Sequence, residues 1–248
     1  MVVLAGSVVL VTGGQRGVGA ALTAGLLDRG AVKVYATSRS PRSATDPRVT
    51  PLAFELGSTD SVRALVASAP DVSVLINNAA EVGSGGVLGA DITAMRTLLD
   101  VNVLGTVAIS QAFAPVLATN GGGALVNVLS VQAWMSGGGA YGMCKAALWN
   151  ATHSMRQELA PAGTLVCGVH FGYVDTDMVR HVKLPKARPQ DIAAAILDGL
   201  EGGRTEILAD EVAVSVKAAL SGPVEALELP ISASPFHGLP DATTPAAC

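Results

Sequence analysis

The hydrophobic positions of this chain follow two rhythms that take turns from end to end. Near-continuous runs of Val, Leu and Ile predict strands over 7–12, 32–37, 49–55, 72–77, 124–129 and 164–170, with a short one over 206–208. Between them, stretches with helical spacing predict helices over 17–28, 59–69, 92–118, 140–159 and 190–200, and a shorter one over 212–220. Strands that are apolar on both sides need helices on both faces. Regular alternation of the two elements then implies an α/β architecture, a parallel, doubly wound sheet of about seven strands with right-handed crossovers. No repeat or linker interrupts the pattern, so 1–248 reads as one domain with its core over 7–208. The segment 40–51 reads as a polar loop. The tail from Ser221, carrying Pro223, Pro230, Pro235 and Pro240, reads as irregular chain laid on the surface.

Composition narrows the class. Half of the 248 residues are apolar and 15% are charged, and a chain of this size can form one large α/β domain. The formal net charge of −4, with no basic cluster, argues against a nucleic-acid partner. No uncharged apolar run is expected to approach the roughly 20 residues of a membrane span. Residues 1–6 are too short for a secretory signal and lack its basic start, so the expected setting is the cytoplasm. Cys144, Cys167 and Cys248 are odd in number and scattered, which leaves no readable disulfide framework or thiolate zinc site. His153, His170, His181 and His237 show no ligand spacing, so no metal is expected.

Chemistry enters directly after the first strand, in the run Thr12-Gly13-Gly14-Gln15-Arg16-Gly17-Val18-Gly19. Strand, glycine turn and a small-residue helix, in that order, suit a dinucleotide. Glycines let backbone approach a pyrophosphate, and the helix N-terminus offers N–H groups and a positive dipole end. The alternative is an ordinary turn. After the second strand comes Ser38-Arg39, where an NAD-preferring protein would place an acid for the ribose 2′-hydroxyl; no acid occurs there until Asp46. Arg39, with Arg16, suits a 2′-phosphate and hence NADPH over NADH, unless both are simply solvated.

Tyr141 and Lys145 are four apart in a predicted helix, which puts both side chains on one face. An ammonium beside a phenol favours the phenolate and is expected to lower the phenol's pKa from about 10, giving a proton donor usable near neutral pH. Such a pair also arises by chance on many helices.

Four motifs taken together, Thr12-Gly13-x-x-x-Gly17-x-Gly19, Asn77-Asn78-Ala79-Ala80, Ser130 and Tyr141-x-x-x-Lys145, resemble the short-chain dehydrogenase/reductase family over about 7–208. The resemblance implies a Rossmann-type fold and a catalytic set of Asn102, Ser130, Tyr141 and Lys145. It implies a nicotinamide dinucleotide held by Thr12, Gly13, Gln15, Arg16, Gly17, Val18, Gly19, Ser38, Arg39, Asn78, Ala79, Tyr141, Lys145, Gly172, Val174 and Thr176, with Asn77 and Ala79 lining the adenosine ribose. In the reduction direction Tyr141 would donate a proton, Ser130 would polarise the carbonyl, and Lys145 would steady the phenolate and hold the ribose hydroxyls. Asn102 would bind a water linking Lys145 to solvent, or else simply bend its helix.

The chain departs from the family's pattern in a Ser130-to-Tyr141 separation of 11, a couple of residues short, in Phe171 where a proline is usual, and in Ala80 where a glycine is usual. Gly137, Gly138 and Gly139 could let the trimmed loop turn. By resemblance the substrate pocket lies among 83–88, Gln132, Trp134, Tyr173 and 177–184, with Trp134 and Met178 giving an apolar wall; Trp134 could equally be a packing aromatic. The favoured expectation is an NADPH-dependent carbonyl reductase of broad range acting on a small-molecule ketone or alcohol. The rivals are a non-catalytic nucleotide-binding regulator on the same fold, or an epimerase or methyltransferase. By resemblance the long predicted helices 92–118 and 140–159 form subunit contacts, giving a tetramer or dimer.

Overall fold

In the computed structural model, which describes residues 2–83 and 86–228, the sheet forms as the pattern requires. The tail beyond 228, with His237 and Cys248, and Ser84 and Gly85 of the expected pocket rim lie outside the described residues. The strands are β1 (Val8–Val11), β2 (Lys33–Ser38), β3 (Val49–Ala53), β4 (Val74–Asn77), β5 (Ala124–Val128), β6 (Leu165–His170) and β7 (Glu206–Leu208). They pair in the order β3-β2-β1-β4-β5-β6-β7, and every pairing is parallel. The order reverses between β1 and β4, which opens a crevice at the carboxyl ends of those strands.

Strand side chains alternate between two cores because their period is two. Val9 and Val11 of β1, Val74 and Ile76 of β4, and Cys167 and Val169 of β6 face one core, closed by Leu22 and Leu26 of α1 (Gly17–Asp28) and Ile196 and Leu200 of α6 (Pro189–Glu201). Leu10, Leu75, Leu125 and Val166 face the other. That side is closed by Leu65 of α2 (Thr59–Ser68), Ile109, Phe113 and Leu117 of α4 (Gly105–Thr119), and Met155 and Leu159 of α5 (Gly139–Leu159). Burial on both sides is why these strands read as near-continuous apolar runs.

Two expectations need correction. The single helix over 92–118 is α3 (Ile92–Leu99) and α4 joined by a π turn, Asp100–Leu104, with Asn102 buried at its centre. The amide needs partners off the helix, and the inserted residue re-aims it toward them. The chain also contains an uncharged stretch, 101–119, and the continuous helical segment Ile92–Thr119 is long and apolar enough, by length and composition, to cross a membrane. Here its inner face packs on the sheet through Ile109, Phe113 and Leu117.

A polar thread runs through this second core. Thr106 donates to the Asn102 carbonyl at 2.8 Å, and Ser110 donates to the Thr106 carbonyl at 2.7 Å. Asn77 Nδ2 donates to Ser110 Oγ at 3.0 Å and to Asn127 Oδ1 at 2.9 Å, while Asn127 donates to Thr152 at 2.9 Å. The Asn77 amide is therefore turned into the core. Its expected place lining a ribose is corrected accordingly: a buried amide goes where its hydrogen bonds are.

Candidate active site

The glycine turn is held from behind. Thr12 Oγ1 accepts the N–H groups of Asn78 and Ala79, each at 2.9 Å, and Asn78 Nδ2 donates to the Thr12 carbonyl at 2.9 Å. Thr12 and Asn78 thus weld the end of β1 to the end of β4 across the crevice. Gly13 has φ +65° and lies against Asn78 and Ala79, while a Cβ on Gly19 would meet the Gly13 carbonyl oxygen at 2.1 Å. A Cβ on Gly17, φ +51°, would meet the Thr176 methyl at 3.0 Å, so the turn also touches the loop after β6. Only glycine fits these positions. The helices α2, α3 and α7 (Glu211–Ala219) begin with Ser58, Asp91 and Asp210, whose side chains accept first-turn N–H groups; α1, α5 and α6 have no such cap, and of these α1 begins with exposed Arg16 directly behind the glycine turn. Its N-terminus, with Gly17, Val18 and Gly19 in the first turn, is built for an external anion. The residues present fit a dinucleotide pyrophosphate.

At the rim, Gln15 ties the loop after β2 to the glycine turn. Its Oε1 accepts from Ser38 Oγ and the Arg42 N–H, both at 2.9 Å, and its Nε2 donates to the Arg42 carbonyl at 2.6 Å. Arg39 is exposed and pairs with Glu81 at 3.2 Å. Glu81, which the sequence reading did not single out, is anchored by the Asn102 amide, which accepts from its N–H and donates to its carbonyl, each at 2.9 Å. Both ends of the Asn102 amide are therefore engaged in holding backbone.

The reactive end is assembled around β5. Lys145 is 3% exposed, and its Nζ donates to the Val128 carbonyl at 2.8 Å. Ser130 follows β5 and caps the short 3₁₀ turn Val131–Ala133, its Oγ accepting from the Gln132 N–H at 3.2 Å. That contact occupies a lone pair and leaves the hydroxyl proton to be donated elsewhere. Glycines close the shortened loop: a Cβ on Gly138 would meet Gln132 Cβ at 3.2 Å, and one on Gly142 would meet the Gln132 carbonyl oxygen at 3.1 Å. The first turn of α5, carrying Tyr141, thus packs directly on the turn that Ser130 caps.

The expected lowering of the Tyr141 pKa is corrected. Burial pushes the phenol above its ordinary value, and burial pushes Lys145 down to about 8. The ammonium lies 5.4 Å from the ring centroid, with an N–H committed to Val128, and burial of the phenol outweighs it. At neutral pH Tyr141 is a neutral, proton-bearing group.

The remaining expected residues divide. Gly172 donates its N–H to Asp210 at 2.8 Å, and Thr176 lies beside Gly17. Val174 is buried in the first core. Gln132 is buried, with Tyr173 beside it; burial raises the Tyr173 phenol and the Gln132 amide opposes the shift. Met178 is exposed. The expected apolar wall at Trp134 is corrected: its ring is buried, stacked on His170 at 3.7 Å and edge-on to Trp149 at 6.0 Å. The packing alternative holds because an indole of that area is worth more inside. Among the described residues no group of His, Cys, Asp and Glu could hold a metal ion.

A family model described as short chain dehydrogenase matches residues 7–187. The ketoacyl reductase HetN of a Nostoc species is 28% identical over 233 residues, covering 85% of this chain and 81% of that protein. Short-chain dehydrogenase/reductase GME11361 of Pestalotiopsis microspora is 32% identical over 189 residues, covering 74% of this chain; the match spans 65% of that protein. A crystal structure of a short chain dehydrogenase from Burkholderia cenocepacia in complex with NADP superposes with a TM-score of 0.84 at 37% identity, covering 90% of this chain and 96% of that one.

Proposed function

This chain belongs to the short-chain dehydrogenase family and is an NAD(P)-dependent oxidoreductase, and from that premise we propose that it reduces ketones with NADPH, Tyr141 giving the proton. The observation that carries the reading is the convergence of Ser130, Tyr141 and Lys145 on the end of β5, with Lys145 fixed to Val128 and the first turn of α5 packed on Gln132.

The reduced nicotinamide supplies hydride when bound. The chain's own residues manage the oxygen. Neutral Tyr141 donates its hydroxyl proton to the oxygen as charge builds there. Ser130, its lone pair turned to Gln132, donates a second hydrogen bond to the same atom. Lys145 keeps two donors beyond the one on Val128, enough for ribose hydroxyls, and its positive charge steadies the phenolate left behind. A panel of ketones assayed with NADPH and NADH tests the activity; no substrate-dependent cofactor oxidation across the panel would sink it.

The cofactor preference follows from Arg39. Its guanidinium rests on Glu81, an exposed pair of small worth that a dianionic 2′-phosphate can displace. Arg39→Asp is expected to shift the NADPH/NADH ratio of kcat/KM toward NADH by at least about tenfold, the scale of one charged hydrogen bond. An unchanged ratio refutes the assignment.

Association belongs to the same reading. Ile92 and Leu104 on α3 and the π turn are 65% and 59% exposed, and Met143 on α5 is exposed beside them. An apolar face on both long helices suits a second copy of the chain, as a dimer or tetramer. Ile92→Asp with Leu104→Asp is expected to give a folded monomer in sedimentation velocity. A species of unchanged size would contradict this face as the contact.

A further inference from the structure

His170 ends β6 and is fully buried, yet its Nε2 has no hydrogen-bond partner among the described residues. A Leu there would pack without the cost of burying an imidazole half satisfied, so the ring's retained contacts deserve an account. Nδ1–H donates to the Ser130 carbonyl at 3.1 Å, and the ring face stacks on Trp134 at 3.7 Å, 18° from parallel. Ser130 and Trp134 are the two residues flanking the 3₁₀ turn Val131–Ala133.

We propose that His170 is a positioning residue for Ser130: one buried ring grips both ends of the segment 130–134 from beneath and thereby sets the direction of the Ser130 hydroxyl. This rests on the reading of Ser130 as the group that polarises the substrate oxygen.

Backbone bonds share the work, the Ser130 Oγ accepting the Gln132 N–H at 3.2 Å. Leu129 N–H reaches the Val169 carbonyl at 2.8 Å and Val131 N–H reaches that of Phe171 at 3.2 Å, which hold the chain on either side of Ser130. The Ser130 carbonyl itself is fixed by His170 Nδ1–H and by the Ala133 N–H at 3.1 Å. Beyond Trp134 the chain is tied down by the Ser136 N–H on the Leu227 carbonyl at 3.0 Å and then turns through Gly137, Gly138 and Gly139, two of them at positive φ. Trp134 is held in turn by Trp149, and Lys217 lies 5.0 Å from its ring centroid while paired with Glu206 at 2.8 Å, so the stack has a firm far side. Burial pushes the imidazole down to about 4, so the ring is neutral at neutral pH, and the Ser130 carbonyl, which can only accept, selects the tautomer with Nδ1 protonated.

The test compares His170→Leu, His170→Asn, Ser130→Ala and the Leu/Ala double variant in ketone reduction, with NADP⁺ affinity measured alongside. His170→Leu is expected to lower kcat about tenfold, the scale of a misplaced reacting group, with NADP⁺ Kd unchanged. His170→Asn, whose amide can stand in for Nδ1–H, is expected to recover most of the loss. In the Ser130→Ala background, His170→Leu should add nothing, because both changes act through one group. Wild-type kcat in His170→Leu, or a loss undiminished in the Ser130→Ala background, overturns the positioning role while leaving the reading of Ser130 intact. Full activity in Ser130→Ala overturns that reading and the proposal with it. If the Leu variant does not fold, His170→Phe keeps the stack without the N–H and must still lose kcat for the proposal to stand.

Discussion

Tyr141→Phe is expected to lower kcat for ketone reduction by about 10³-fold, the middle of the range for a positioned proton donor, with the fold retained. The substitution deletes only the hydroxyl. The ring packs with Met95, Leu98 and Cys144, and that apolar cluster survives in Phe. Because burial holds the phenol in its protonated form, the loss should appear in kcat across the neutral range and not as a shifted pH optimum. Single-turnover kinetics at saturating cofactor measure it, and a kcat within a few-fold of wild type would remove Tyr141 from the chemistry.

Lys145→Met is the second large effect, and it should separate catalysis from stability. Removing the ammonium takes away the charge beside the phenolate and the donors proposed for the ribose, so a fall in kcat/KM of about 10²-fold to 10³-fold is expected, comparable to losing a preorganised donor. Stability follows the opposite logic. Burial has moved Lys145 from 10.5 down to about 8, so between those values the unfolded chain binds a proton that the folded chain does not. Stability from this group is full above 10.5 and is lost as pH falls through 8, where the buried group must carry its charge. Met has no charge to bury, so the variant should be no less stable than wild type at pH 7, and its stability should lack the rise between pH 8 and 10.5. Urea midpoints at pH 7.5 and 10 read this out; an equal rise in both proteins would mean that Lys145 is not desolvated in the folded state.

The parts of the molecule that rest on local pattern were open to reading from the chain. Val8–Val11 is an unbroken apolar strand because it faces two cores, and Gly13, Gly17 and Gly19 are forced by close backbone approach. The alternation of strand and helix then leaves little choice of topology. What periodicity could not convey is where a side chain goes once elements meet. Asn102 looked like a polar residue inside one long helix; only its bonds to Glu81 reveal why the helix carries a π turn. Trp134 has the size to line a pocket, but its partner His170 lies on another strand, 36 residues further along the sequence. Asn127 and His170 did leave a signal, each a polar residue in an otherwise apolar strand, and each proves to be a node of buried hydrogen bonding. The phenol's pKa could not be judged from spacing because it is set by burial.

Reduction of a ketone with NADPH deuterated at its transferable position tests the account most directly. If hydride passes to the carbonyl carbon while Tyr141 protonates the oxygen, the product alcohol carries deuterium on its carbinol carbon and the hydroxyl proton comes from solvent. Cofactor consumed with no deuterium in the product would contradict it.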